Sequence, residues 1–167
     1  MSSAHAVVPP PPYLGDKLLK SNIIEFTKAK VRVGDHVPGT ILANLLYRKR
    51  IIERCAVDRE FRKEVIRLCA RDPVFFIGTF CWTIDPRNMS RPKVPFAPYP
   101  FQKRVIREMA KKIGKEDMLV EKSRDMGASW MFIYVIAWSC QFRDNLAFTL
   151  ISKNADAVDN TDDPDSL

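Results

Sequence analysis

Apolar residues recur at helical spacing from Thr40 to about Asp72. Ile41, Leu42, Leu45 and Leu46 are followed by Ile51, Ile52 and Cys55, mostly at three- and four-residue steps, which predicts a helix with these residues on its apolar face. Asp58 stands where an N-cap belongs, and Phe61, Val65, Ile66 and Cys69 mark the inner face of a second helix. The outer faces carry Arg48, Lys49, Arg50, Arg54, Arg59, Arg62, Lys63, Arg67 and Arg71. Glu60 and Glu64 run beside them, so part of that charge is intrahelical pairing. Asp72-Pro73 opens a short apolar helix through Thr79, since proline is preset for the first helical position. Prolines 86, 92, 95, 98 and 100 predict an irregular, extended linker, because each removes a donor and restricts the residue before it. A further helix is expected from Phe101 to about Ile113, with Val105, Ile106 and Met109 inward.

The last third changes period. Met118-Leu119-Val120-Glu121 reads as a short buried strand, Ser123 to Gly127 as a turn, and Ala128 to Phe142 as a buried helix. Asp144-Asn145 is a second turn and Leu146 to Ser152 a second strand. Strand, helix, strand predicts a parallel β-α-β unit with a right-handed crossover. Two parallel strands do not make a stable sheet, so more strands are expected to complete it.

Composition narrows the class. The chain has 167 residues, 46% hydrophobic and 28% charged, a globular balance at a length that can bury a real core. Whole-chain disorder, collagen, coiled coil and disulfide scaffolds are excluded. Cys55, Cys69, Cys81 and Cys140 form no C-x-x-C pair, and with only His5 and His36 no zinc spacing exists; reduced thiols are expected. The apolar run 130–140 falls short of the roughly 20 residues of a membrane span. The start, MSSAHAVVPPPPYLG, lacks a secretory pattern, so a chain that stays where it is made is expected. Net charge is +7; residues 1–153 carry 27 − 15 = +12 and five aspartates after Lys153 carry −5. A body this basic favours a polyanionic partner, nucleic acid first, although a merely solvated basic surface gives the same count.

Candidate chemistry sits after the first expected strand, at Lys122-Ser123-Arg124-Asp125-Met126-Gly127-Ala128-Ser129. Against the phosphate-loop pattern G-x-x-x-x-G-K-[ST], Gly127 and Ser129 hold the second glycine and the hydroxyl, Lys122 replaces the first glycine and Ala128 the usual lysine. A strand feeding a helix N-terminus places unpaired N–H groups and the positive dipole end where a phosphate can sit. Lys122 and Arg124 would supply the cations and Ser129 the hydroxyl for Mg²⁺. The alternative is that both cations are ordinary exposed turn residues.

Taken with YPFQKRVIREM, LVEKSRDMGASW and LISKNADAVDNTDDPDSL, and with the upstream Phe75-x-x-x-Thr79 and CWTIDPR stretch, the chain resembles the N-terminal ATPase domain of the large terminase subunit of tailed phages over roughly residues 60–167. The resemblance implies an α/β fold: an N-terminal helical region, then an incomplete P-loop NTPase core. Four consecutive prolines, Pro9 to Pro12, predict a disordered Pro-rich arm (1–14), the apolar spacing a helical region (15–85) and the later prolines a linker (86–100), and the resemblance makes 101–167 a partial ATPase core. It implies ATP and Mg²⁺ as cofactors, with Lys122 as the displaced lysine and Arg124 as the early arginine on the β- and γ-phosphates. It implies further that Gly127 permits close backbone approach, with Ala128 beside it, and that Ser129 ligates Mg²⁺. Gln102 matches the adenine-reading glutamine, with Tyr99 or Phe101 stacked on the base. The implied partners are double-stranded phage DNA, the remainder of the large subunit, the small terminase subunit and the portal ring, in the host cytoplasm and without a membrane. The family's later strand with paired acids and its nuclease domain have no counterpart here, and Asp162-Asp163-Pro164-Asp165 reads as a surface loop. The chain is therefore expected to be an N-terminal motor fragment, not catalytically complete alone. The competing expectations are a non-enzymatic, basic nucleic-acid-binding protein and an inactive remnant.

Overall fold

The structure, a computed structural model, describes residues 32–85, 93–122 and 126–151. Within them the fold is mixed α/β and mostly helical. A short 3₁₀ helix, Val33–His36, leads into α1 (Ile41–Val57), α2 (Arg59–Arg71) and α3 (Pro73–Phe80). Strands β1 (Trp82–Ile84) and β2 (Lys93–Pro95) follow, then α4 (Pro100–Lys112) and α5 (Ala128–Phe142).

Local chemistry sets most boundaries. Asp58 caps α2, its carboxylate accepting from Phe61 N–H at 2.9 Å. Asp72 caps α3, accepting from Val74 N–H at 3.0 Å, with Pro73 at the first helical position. α3 is apolar all round, and such a helix must be buried on every side. It supplies Phe75 to one core cluster, with Tyr47, Ile51, Phe61, Val65 and Leu68, and Val74 and Ile77 to a second, with Ile106, Met131, Val135 and Trp138.

α1 corrects the expected apolar face. Ile41, Leu42, Leu45, Leu46 and Ile52 are exposed, Leu42 to 70%, while Asn44, Tyr47, Arg48 and Ile51 are buried. The cause is the C-terminus of α3, whose last carbonyls have no partner within their own helix. Asn44 Nδ2 donates to Gly78 O and to Pro38 O, both at 3.0 Å, and Arg48 Nη2 donates to Gly78 O at 2.9 Å. Satisfying buried carbonyls turns these polar residues inward and part of the leucine face out. In α2, Ile66 is likewise exposed and Leu68 takes the core position.

The Pro-rich linker is also corrected. Residues 93–95 form β2, paired antiparallel with β1 in the register Trp82↔Pro95, Thr83↔Val94, Ile84↔Lys93. Phe96 N–H continues the pairing to Cys81 O at 3.1 Å. A two-stranded ribbon is all edge, so prolines that leave the ladder donors in place are tolerated. Residues 86–92 lie outside the described residues.

No strand forms at 118–121 or 146–151, although both were expected as strands. A strand exists through its neighbour's hydrogen bonds, and the described residues bring no partner to either segment. The only sheet among the described residues is the antiparallel pair. The helix between those segments does form, at Ala128–Phe142, and Asn145 takes the left-handed conformation of a turn with φ 59°. The 1–14 arm and the 152–167 tail lie outside the described residues.

Candidate functional site

The helix end at which a phosphate was expected is the start of α5. Gly127 holds φ 69°, ψ 23°, a left-handed conformation that glycine adopts without strain. Met131 N–H donates to Gly127 O at 3.1 Å, closing the first turn. The amides ahead of Met131 precede that bond and have no intrahelical acceptor. No side chain caps this end and no acid stands in the first turn. A fifteen-residue helix therefore starts with its positive dipole end uncancelled by its own residues.

The expected site residues fall into three groups. Ser129 is exposed in the first turn of α5, while Ala128 is buried in the second core cluster and anchors that turn. Lys122 is exposed on the segment leading into the loop. Arg124 lies outside the described residues, as do Ser123 and Asp125.

The third group sits at the start of α4. Tyr99 and Phe101 stack with ring centroids 5.9 Å apart and 8° between planes, and Tyr99 is 61% exposed. Gln102 is only 5% exposed. Its Oε1 accepts from Tyr99 N–H at 2.8 Å, and its Nε2 donates to Met126 O at 3.0 Å. The structure thus brings Gln102, Met126 and Gly127 together, and the glutamine amide is engaged at both ends by the chain's own backbone.

The fit to the implied groups rests on donor chemistry. Mg²⁺ in nucleotide sites takes one or two protein oxygens beside phosphates and water, and the exposed Ser129 hydroxyl is such an oxygen. Among the described residues no group of three or more His, Cys, Asp or Glu is placed to hold a metal by itself. In this parallel pair Phe101 is half-buried and the exposed Tyr99 ring offers a flat face of the kind on which a base stacks.

Elsewhere the structure shows charged residues that the helical pattern hid. Arg48, expected on an outer face, is 3% exposed, with its guanidinium 5.1 Å from the Trp82 ring centroid. Burial pulls its pKa down to about 10, against neighbouring Cys81 and the tyrosines. Lys103 donates to Asp35 O at 3.1 Å and Val37 O at 3.0 Å, and burial lowers its pKa as well. Neither role has a signature in one sequence, since both rest on carbonyls 30 or more residues away. On the basic outer faces Lys49 pairs with Glu53, Lys63 with Glu60, and Arg67 with Glu64. Arg59 and Arg62 are exposed.

Cys55, Cys69, Cys81 and Cys140 are free. Burial raises the Cys69 and Cys81 thiols, Cys81 to about 12, which keeps both protonated and unreactive. No described helix is long and apolar enough to cross a membrane. Comparison with known protein families, with curated proteins and with solved structures finds no match to this chain.

Proposed function

We propose that this chain is the N-terminal part of a phage DNA-packaging motor, a large terminase subunit, and that it binds ATP with Mg²⁺ at the N-terminus of α5. One observation carries the reading. The left-handed Gly127 opens a long helix with no acidic or capping residue of its own, and Gln102 ties that turn to an exposed aromatic pair. A phosphate-accepting end and a base-accepting face are thereby joined through one side chain.

The roles follow from chemistry and from the resemblance. Lys122 and Arg124 bring positive charge to the β- and γ-phosphates, where it stabilises the spreading charge of phosphoryl transfer. Gly127 lets the backbone approach the phosphates, and Ser129 offers an oxygen to Mg²⁺. Tyr99 or Phe101 stacks on the base. Bound ATP would supply the phosphoanhydride whose hydrolysis drives DNA into the procapsid. The paired acids that activate water belong to a later strand of the family's core, so binding rather than turnover is the activity proposed for these residues. Double-stranded phage DNA, the rest of the large subunit, the small subunit and the portal ring are the partners, in the host cytoplasm.

The test is calorimetric titration of the chain with ATP, with and without Mg²⁺, beside Lys122→Ala. We expect Mg²⁺-dependent binding that weakens at least tenfold in the variant, since a charge-assisted contact is worth about 1.5–3 kcal/mol. Far-ultraviolet circular dichroism should stay unchanged, because Lys122 is exposed. Equal affinity in the two proteins would remove Lys122 from the site; no binding by either would sink the ATP reading.

A further inference from the structure

The resemblance makes Gln102 a reader of the base, but its geometry gives it other work. A glutamine amide reads adenine by offering Oε1 and one N–H together along one edge. Here Oε1 accepts from Tyr99 N–H at 2.8 Å and Nε2 donates to Met126 O at 3.0 Å. The residue is 5% exposed, so little of the amide remains for a ligand. The two partners belong to different elements: Tyr99 is the N-cap of α4, and Met126 is the residue before the left-handed Gly127. Packing agrees with the hydrogen bonds. A Cβ on Gly127 would stand 3.0 Å from Gln102 Nε2 and 3.9 Å from Phe96, so the glutamine fills the space over the turn.

We propose that Gln102 is a positioning residue that sets the left-handed turn at Gly127, and through it the affinity of the α5 N-terminus for a triphosphate. The second half rests on the function proposed above; the first half does not. Losing the Nε2 donor leaves Met126 O unpaired in a half-buried place and frees the peptide that enters Gly127. The amides of α5's first turn then lose the fixed direction from which they would meet an anion. Base identity is not read by this side chain, so the loss falls alike on every ligand carrying the same phosphates.

The discriminating variants are Gln102→Glu and Gln102→Ala. Glu keeps an oxygen for Tyr99 N–H, which spares the α4 cap, and turns a second oxygen against Met126 O. Two readouts are needed: amide hydrogen exchange over residues 131–135, the first hydrogen-bonded amides of α5, with α2 as internal reference, and binding of ATP, GTP and inorganic triphosphate. We expect exchange in 131–135 to speed up roughly tenfold in both variants, the size of one lost hydrogen bond, with α2 unchanged. The three affinities should fall together by a similar factor. Unchanged exchange over 131–135 in both variants would overturn the proposal. So would a loss confined to ATP, which is the signature of a base reader. If the wild-type chain binds none of the three ligands, the triphosphate reading fails, and the exchange result alone decides whether Gln102 holds the turn.

Discussion

At the scale of single residues, a few buried polar groups decide where elements meet. Asp72 shows how much one carboxylate can join. One oxygen caps α3 through Val74 N–H, and the other accepts from Gly34 N–H at 2.8 Å, holding the 3₁₀ helix against α3. Arg107 of α4 approaches the same oxygen at 3.7 Å. Gly34 is required there, since a Cβ would stand 2.7 Å from Phe75 N. Asp72→Ala strands the Gly34, Val74 and Phe75 N–H donors, so unfolding free energy should drop by about 3 kcal/mol in urea titrations. Asp72→Asn keeps one acceptor oxygen and should lose roughly half as much. A loss under about 1 kcal/mol in the alanine variant would mean that the 3₁₀ helix is held by other contacts. The capping half of this role was legible, because Asp before Pro at a helix start is a local pattern. The reach to Gly34, 38 residues away, was not.

At the scale of elements, α1 shows the limit of periodicity. Its spacing declares a helix, yet two apolar sets compete for the inside, and the winning side carries Asn44 and Arg48. The energetic reason is that an unpaired buried carbonyl costs about 1–3 kcal/mol, comparable with the gain from burying one leucine. Arg48 and Asn44 together satisfy Gly78 O and tie α1 to the end of α3. The orientation can be tested by paired substitutions. Leu42→Gln and Leu46→Gln, on the exposed side, should change stability by less than about 0.5 kcal/mol, whereas Ile51→Ala should lower it by about 2–4 kcal/mol. A large loss at Leu42 or Leu46 would show that something packs on that side. The hairpin is a second case: proline spacing alone reads as a linker, and only the partner strand beside it reveals β2.

At the scale of the whole molecule, α3 is the hub between two apolar clusters. Trp138 of α5 bridges back to α2 by donating from Nε1 to Cys69 O at 2.7 Å. Because this core buries thiols and phenols, stability should fall in alkali. The Cys81 thiol rises from an ordinary 9.0 to about 12, Cys69 rises also, and burial raises Tyr47 above its ordinary 10.0. Each is neutral while protonated, so the folded chain keeps protons that the unfolded chain releases. Stability from these groups is complete below pH 9 and is lost as pH climbs toward 12. Arg48 opposes this from about pH 10 upward, because its lowered pKa lets the folded chain shed that proton first. Lys103, also lowered from 10.5 by burial, opposes in the same sense, but the raised thiols and phenols outnumber the two cations, so the urea midpoint should decline from pH 9 to 10. A midpoint that rises across that interval would mean that the thiols are not buried as described.

The sequence by itself determined the described α-helices and most of their ends. Spacing, the caps Asp58 and Asp72, and the glycine before Ala128 all act within one or two turns of chain. It also marked Gly127 and Ser129 as candidates through the phosphate-loop pattern, whereas the aromatic pair and Gln102 were marked only by the family resemblance. Only the tertiary structure decided which side of α1 is buried, that residues 93–95 are a strand, and that the Gln102 amide is spent on Tyr99 and Met126. The physical reason is common to all three. A helix or a cap is closed by neighbours in sequence, whereas a strand, a buried cation or an engaged amide exists only through a partner brought in from far along the chain.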